Sequence, residues 1–180
     1  MLFRSLALEA LGTAITTVGA LSERRLNRLV NPNLSEGLPA FLTSGAGMFS
    51  GLMVSQYTAC ALVAENRVLC HPACTGSIPA AADQEDFVSM GMTTAIKTKQ
   101  ILENSWHIIG IELMAAAQAL DFRAPVKPAR ATQAALDVIR GHVAHMDEDR
   151  PMYDDINTLG RVAKSGEILD AVEAVCGKLN

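Results

Sequence analysis

The chain has 180 residues, 49% of them apolar and 19% charged, with a formal net charge of −4. That balance excludes a disordered chain, and a net negative charge with no basic tract excludes a nucleic-acid binder. Aromatic residues are only 4%, while Ala, Leu and Met abound, which favours helix over sheet in one domain.

The first predicted element is a long helix over 3–30. Leu8, Leu11, Ile15, Val18, Ser22, Arg25 or Leu26, and Leu29 recur in alternating steps of three and four and mark one face. Gly12 and Gly19, seven apart, lie on one side and leave room for another helix to approach closely. The opening residues mimic an export signal, with Arg4 before an apolar run. Glu9 interrupts that run and the periodicity continues well beyond any cleavage point, so the segment reads as mature structure. Asn31-Pro32-Asn33 ends the helix.

Residues 37–64 contain no charge. The pattern over 48–70 is helical and apolar nearly all round, which predicts a helix buried on every side. A membrane span is the rival reading, but Ser50, Ser55, Gln56, Tyr57 and Thr58 interrupt the run and no basic flank orients it. Cys70-His71-x-x-Cys74 follows, a set short of ligands for a metal, and the four cysteines show no C-x-x-C pair, so free intracellular thiols are expected.

After a loop over 71–83, a further pattern without proline runs from 86 to 121, with Leu102, Trp106, Ile109, Leu113, Ala116 and Leu120 on one face. At 1.5 Å per residue that helix is about 54 Å long. A compact globule of this size is only about 40 Å across. The helix therefore implies an elongated bundle whose apolar surfaces are covered by other chains. Past Pro125 and Pro128, shorter amphipathic helices are predicted over 129–144, 152–164 and 167–178. His142 and His145, beside Asp147, read as a solvated helix end in preference to a metal set. There is no internal repeat. The expected architecture is all-α: an elongated bundle of long helices over 1–124, with a peripheral cap of shorter helices over 125–180.

The segment "SIPAAADQEDFVSMG" (77–91) holds the candidate chemistry. One reading makes Asp83 the N-cap and Asp86 the capping-box partner of the helix that follows. The other makes Gln84 and Glu85 parts of a site. Adjacent helical positions do not share a face, so Asp83 and Asp86 serving the helix start leaves Glu85 pointing elsewhere.

The ordered set "GALSERRLNRLVNP", "GLPAFL", "SGLMVSQYTACALVAENRVLCHPA", "SIPAAADQEDFVSMG", "ENSWHIIGIELMAAAQALDFR" and "HMDEDRPMYDDI" resembles the C-terminal part of the histidine and aromatic amino-acid ammonia-lyases. The resemblance implies an all-helical oligomer with active sites shared between subunits. It also implies elimination of ammonia from an aromatic L-amino acid, with an electrophilic methylideneimidazolone (MIO) formed by cyclisation of Ala-Ser-Gly. This chain has no Ala-Ser-Gly; the nearest tripeptide is Thr43-Ser44-Gly45. The family's Gly-Asn-Phe-His-Gly segment and its catalytic tyrosines are also missing, so the prosthetic group is expected from a partner chain.

In the histidine-type enzymes the acidic segment reads Asn-Gln-Glu-Asp-His-Val-Ser-Met. By that resemblance Glu85 is the catalytic candidate, Gln84 lines the substrate pocket and Phe87 stands at its edge in place of the usual His. Asp83 replaces the usual Asn. The implied function is the C-terminal subunit or portion of a histidine-type ammonia-lyase, inactive alone, cytoplasmic, in a homo- or hetero-oligomer with an N-terminal lyase part. Alternatives are a non-catalytic structural or regulatory subunit and a fragment of a full-length enzyme.

Overall fold

A computed structural model describes residues 2–76 and 78–179. Among them are six α-helices and no strand: α1 (Leu2–Val30), α2 (Met53–Leu69), α3 (Gly91–Asp121), α4 (Arg130–His142), α5 (Tyr153–Ser165) and α6 (Glu167–Cys176), with a single 3-10 turn, Ala40–Leu42, between α1 and α2. The all-α expectation holds, and α1 and α3 reach about 43 and 46 Å at the standard rise.

Side-chain partners give the directions. Glu9 meets Lys97, Gly12 faces Ile101, and Ser22 and Arg25 reach Glu112, so α1 and α3 run parallel. Asn27 pairs with Gln56 at the start of α2, and Asn66 near its end meets Ser105, so α2 runs against both. Lys164 meets Glu103 while Gly160 packs on Gly110, so α5 also runs against α3.

The faces by which the long helices pack coincide only in part with the predicted stripes, of which Ser22 and Leu26 are buried. On α1 the buried positions are Ser5, Glu9, Gly12, Thr16, Gly19, Ser22, Glu23, Leu26 and Val30, whereas Leu11 and Val18 on the predicted stripe are exposed. On α3, Ile101, Ser105, Ile108, Ala115 and Ala119 are buried, each one position before the predicted Leu102, Trp106, Ile109, Ala116 and Leu120. One residue is a rotation of about 100°. The close approach anticipated from the two glycines decides it: a Cβ on Gly12 would lie 3.3 Å from Ile101 Cδ1, and one on Gly19 3.3 Å from Ser105 Oγ. Larger residues at either place would push the helices apart.

Along this seam polar groups satisfy one another. Asn66, 1% exposed, accepts from the Asn104 amide at 3.0 Å and donates to Ser105 Oγ at 3.3 Å. The apolar core lies towards the other end, where Leu26, Val30, Leu42, Leu52, Ile108, Ile111 and Met114 converge under α4 and α5.

The uncharged stretch is likewise not one helix. Leu42 of the 3-10 turn is fully buried, residues 43–52 form turns, and α2 begins at Met53, five residues later than the predicted start at 48. Only the row Ser55, Ala59, Val63 and Asn66 is buried, and Val54, Tyr57 and Val68 face outward, so α2 is not covered on every side by this chain. Among the described residues one helix, α1 over Phe3–Val30, is long and apolar enough to cross a membrane, and its polar stripe is turned onto α3.

The last three helices follow ordinary end signals. Asp154 and Asp155 lie in the first turn of α5 and Lys164 in its last, both favoured by the helix dipole. Gly166, at φ +87, stops α5 and starts α6 in a backbone region glycine reaches without strain. Gln118, 2% exposed, ties this part to the core: its amide donates to the Leu42 and Met146 carbonyl oxygens, and its oxygen accepts the Met146 N–H.

Candidate functional site

Gln84, Glu85 and Phe87 lie in the loop between α2 and α3, not in the first turn of a helix. The loop closes on itself where Ala80 and Glu85 exchange two backbone hydrogen bonds, of 3.0 and 3.3 Å. Inside that closure Ala81, Ala82 and Asp83 have φ of +53, +55 and +64. Three consecutive non-glycine residues in the left-handed region carry a local cost of about 1–2 kcal/mol each. Asp tolerates this conformation best, because its short polar side chain bonds locally.

The capping expectation is therefore corrected. Helix α3 starts at Gly91, its N-cap is Met90 at φ +46, no side chain caps it, and its first turn has no acidic residue. Asp83 is held in the turn, and residues 86–90 lead into the helix outside it, which also shortens the predicted 86–121 helix. The turn brings Gln84 and Glu85 out together: residues 81–87 are all exposed, with Phe87 at 53%. Among the described residues the Glu85 carboxylate has no hydrogen-bond or ion-pair partner.

Two residues that composition and periodicity did not single out hold the root of this loop. Glu9 Oε1 accepts the Ala73 N–H at 2.7 Å and the Thr94 hydroxyl at 3.1 Å, and both its oxygens lie 3.1 Å from Lys97 Nζ. Burial pushes the Glu9 carboxyl up, but the bonds from Ala73, Lys97 and Thr94 outweigh it and hold the group below its ordinary value of 4.5. The available signal was Glu9 itself, a lone acid inside an apolar run.

The other candidate clusters resolve into local contacts. Cys70 Sγ lies 3.2 Å from the Arg67 carbonyl oxygen and Cys74 is buried. The Cys60 thiol donates to Glu23 at 3.3 Å, and burial followed by that carboxylate pushes its pKa up, so it stays protonated. His142, the exposed last residue of α4, pairs with Glu167, while His145 past the helix end is half-buried and places Nδ1 2.7 Å from Asp121. Among the described residues no group of three or more His, Cys, Asp or Glu side chains is placed to hold a metal.

A cavity of about 590 Å³ lies between α2 and α5, lined by Val54, Leu62, His107, Met152 and Ile156. Asp149 at its edge accepts the Ser50 and Gly51 N–H groups at 2.7 and 2.8 Å, so this carboxylate is already engaged at the approach to α2. The acidic loop contributes nothing to this cavity.

A sequence profile of the aromatic amino acid lyases matches residues 4–141. The chain belongs to the aromatic amino acid lyase family. It is 48% identical over 176 residues to the histidine ammonia-lyase of Gloeobacter violaceus, covering 98% of this chain and 34% of that protein. It is 51% identical over 175 residues to that of Symbiobacterium thermophilum, covering 97% and 34%. Among solved structures, the histidine ammonia-lyase from Trypanosoma cruzi superposes with a TM-score of 0.90 at 39% identity over 94% of this chain and 33% of that one. Tyrosine aminomutase from Streptomyces globisporus superposes equally well, 0.90 at 40% identity over 94% and 32%. The ammonia-lyase-like fold is thus established, and the chain spans about a third of the length of the relatives it matches.

The MIO of this family does not fit any residues present here. Thr43-Ser44-Gly45 has Thr where Ala is required, Thr43 is buried, and the Gly45 N–H donates to the Thr43 hydroxyl oxygen at 3.4 Å.

Proposed function

We propose that this chain is the C-terminal part of an ammonia-lyase of the histidine type, active only with an N-terminal part that carries the methylideneimidazolone. Supplied by that part, the group provides the electrophile that elimination needs. What this chain contributes is the acidic loop. The observation that carries the reading is Glu85, exposed at a turn of three left-handed residues with no partner for its carboxylate among the described residues. Covered by another chain, such a carboxylate holds the ammonium or ring N–H of an amino acid by a charge-assisted hydrogen bond, or exchanges a proton with it. Gln84 beside it offers a donor and an acceptor, and Phe87 an apolar edge.

An obligate oligomer is part of the proposal. The unburied apolar stripes of α1 and α3 flank a groove of about 250 Å³ lined by Ile15, Val18, Leu102, Trp106 and Ile109, and it offers a seat for a second copy or for the N-terminal part. A cytoplasmic location fits four unpaired cysteines.

The test is co-expression with the N-terminal part, followed by incubation with histidine, tyrosine and phenylalanine. Release of ammonia and an α,β-unsaturated acid from histidine is the expected result. A β-amino acid product would place the chain with the aminomutases, and a stable complex that turns over none of the three would make it a structural subunit.

A further inference from the structure

The segment joining α2 to α3 covers residues 70–90 and is largely exposed among its described residues. Ala80 and Glu85 close its exposed tip by backbone hydrogen bonds, and among its described residues Cys74 and Ser89 are buried. Glu9 and Lys97 meet at its root. Glu9 is 8% exposed and takes the Ala73 N–H; Lys97 donates to the His71 carbonyl oxygen. The same carboxylate takes the Thr94 hydroxyl in the first turn of α3. One ion pair thus joins the start of the loop, at residues 71 and 73, to the helix that receives its end.

An ion pair that only stabilised helix packing would find its remaining partners on helices. Besides Thr94 of α3, this one has a loop amide and a loop carbonyl. Removing either charge leaves the other desolvated and unmatched, and also releases a backbone group of the loop.

We propose that Glu9 and Lys97 are positioning residues: by joining the two ends of the 70–90 loop they set where that loop presents Glu85. The proposal rests on the reading of Glu85 as a site carboxylate. Both side chains act through the backbone, since neither reaches the exposed tip.

The test uses the complete lyase, this chain assembled with its N-terminal part. Glu9→Gln keeps the size and an acceptor for Ala73 but removes the charge opposite Lys97; Glu9→Asp keeps the charge. In Glu9→Gln, hydrogen exchange at residues 71–76 and 80–87 should rise about tenfold or more, with the middle of α3 unchanged. Its kcat should fall by about 10–10²-fold, with Glu9→Asp recovering most of the loss. Added to Glu85→Gln, Glu9→Gln should lower kcat by less than about twofold further, because both changes act on one group.

A multiplicative loss in the double variant, or unchanged exchange in the loop, overturns the proposal. Absence of turnover in the wild-type complete lyase would instead refute the functional reading. The exchange measurement then still decides the clamp: faster exchange at the loop upholds it and unchanged exchange overturns it.

Discussion

Gly110 of α3 and Gly160 of α5 cross backbone to backbone: a Cβ built on Gly110 would lie 2.7 Å from the Gly160 nitrogen and 3.1 Å from the Leu159 carbonyl carbon. Gly110→Ala must therefore separate two main chains. It should lower stability by about 1–3 kcal/mol, net of the gain of about 1 kcal/mol in helix propensity. A Cβ on Gly160 meets the His107 ring at 3.3 Å, a side chain that borders the cavity between α2 and α5. Gly160→Ala should be within about 1 kcal/mol of wild type. Urea unfolding of the two variants separates them, and equal losses would contradict this account of the crossing.

Glu85→Gln preserves size and hydrogen bonding but removes the charge. In the assembled enzyme it should lower turnover by about 10² or more if the group transfers a proton, with assembly unchanged on size exclusion. Full activity of this variant in a verified complex would remove Glu85 from the reaction.

The left-handed turn makes opposite predictions for small and branched residues. Ala82→Gly removes the Cβ conflict at φ +55 and should raise stability by up to about 1 kcal/mol, because glycine's own entropy cost offsets part of the relief. Ala82→Val should destabilise the turn instead, since β-branched residues almost never occupy positive φ. Melting temperatures in the opposite order would mean that the turn does not have this backbone.

Glu9 links loop anchoring to pH. Its carboxyl is held below the ordinary value of 4.5, so the folded state favours the ionised form. The stabilisation it contributes is complete above 4.5 and is lost as pH falls through the lower, folded value. The stability difference between wild type and Glu9→Gln should therefore narrow on acidification below pH 4.5. A difference that stayed constant to pH 3 would show that the carboxylate is not linked to folding.

The outward stripes of α1 and α3 predict association. Val18→Lys with Leu102→Lys places charge in the Ile15–Trp106 groove while leaving the seam of Gly12, Thr98 and Ile101 untouched. Helix content by circular dichroism should persist while the mass by light scattering falls. An unchanged mass would rule this groove out as an interface.

Helix class, chain order and the three-four periodicity of α1 and α3 follow from the sequence by itself, because helical spacing is a local property of the chain. So do the breaks at Pro32 and Pro125 and the motif around Glu85. Which stripe turns inward does not follow. Periodicity marks the apolar face, on which Leu11, Val18 and Leu102 lie, but not what covers it. The fold instead buries the stripe of Gly12 and Gly19 on α1 and of Ser105 on α3, where small residues let backbones approach and polar groups find partners such as Asn66 of α2 in the same chain. The acidic loop shows the same division. Asp83 and Asp86 have the residue types and spacing of a helix start, yet the chain passes through three left-handed residues and begins α3 only at Gly91. Closure of that turn by Ala80 and Glu85 is local but is not marked by residue type, and anchoring of its root by Glu9 and Lys97 is a contact between distant parts of the chain. Only the tertiary structure could supply that anchoring and the choice of stripe, because the energies that select them arise when those parts meet.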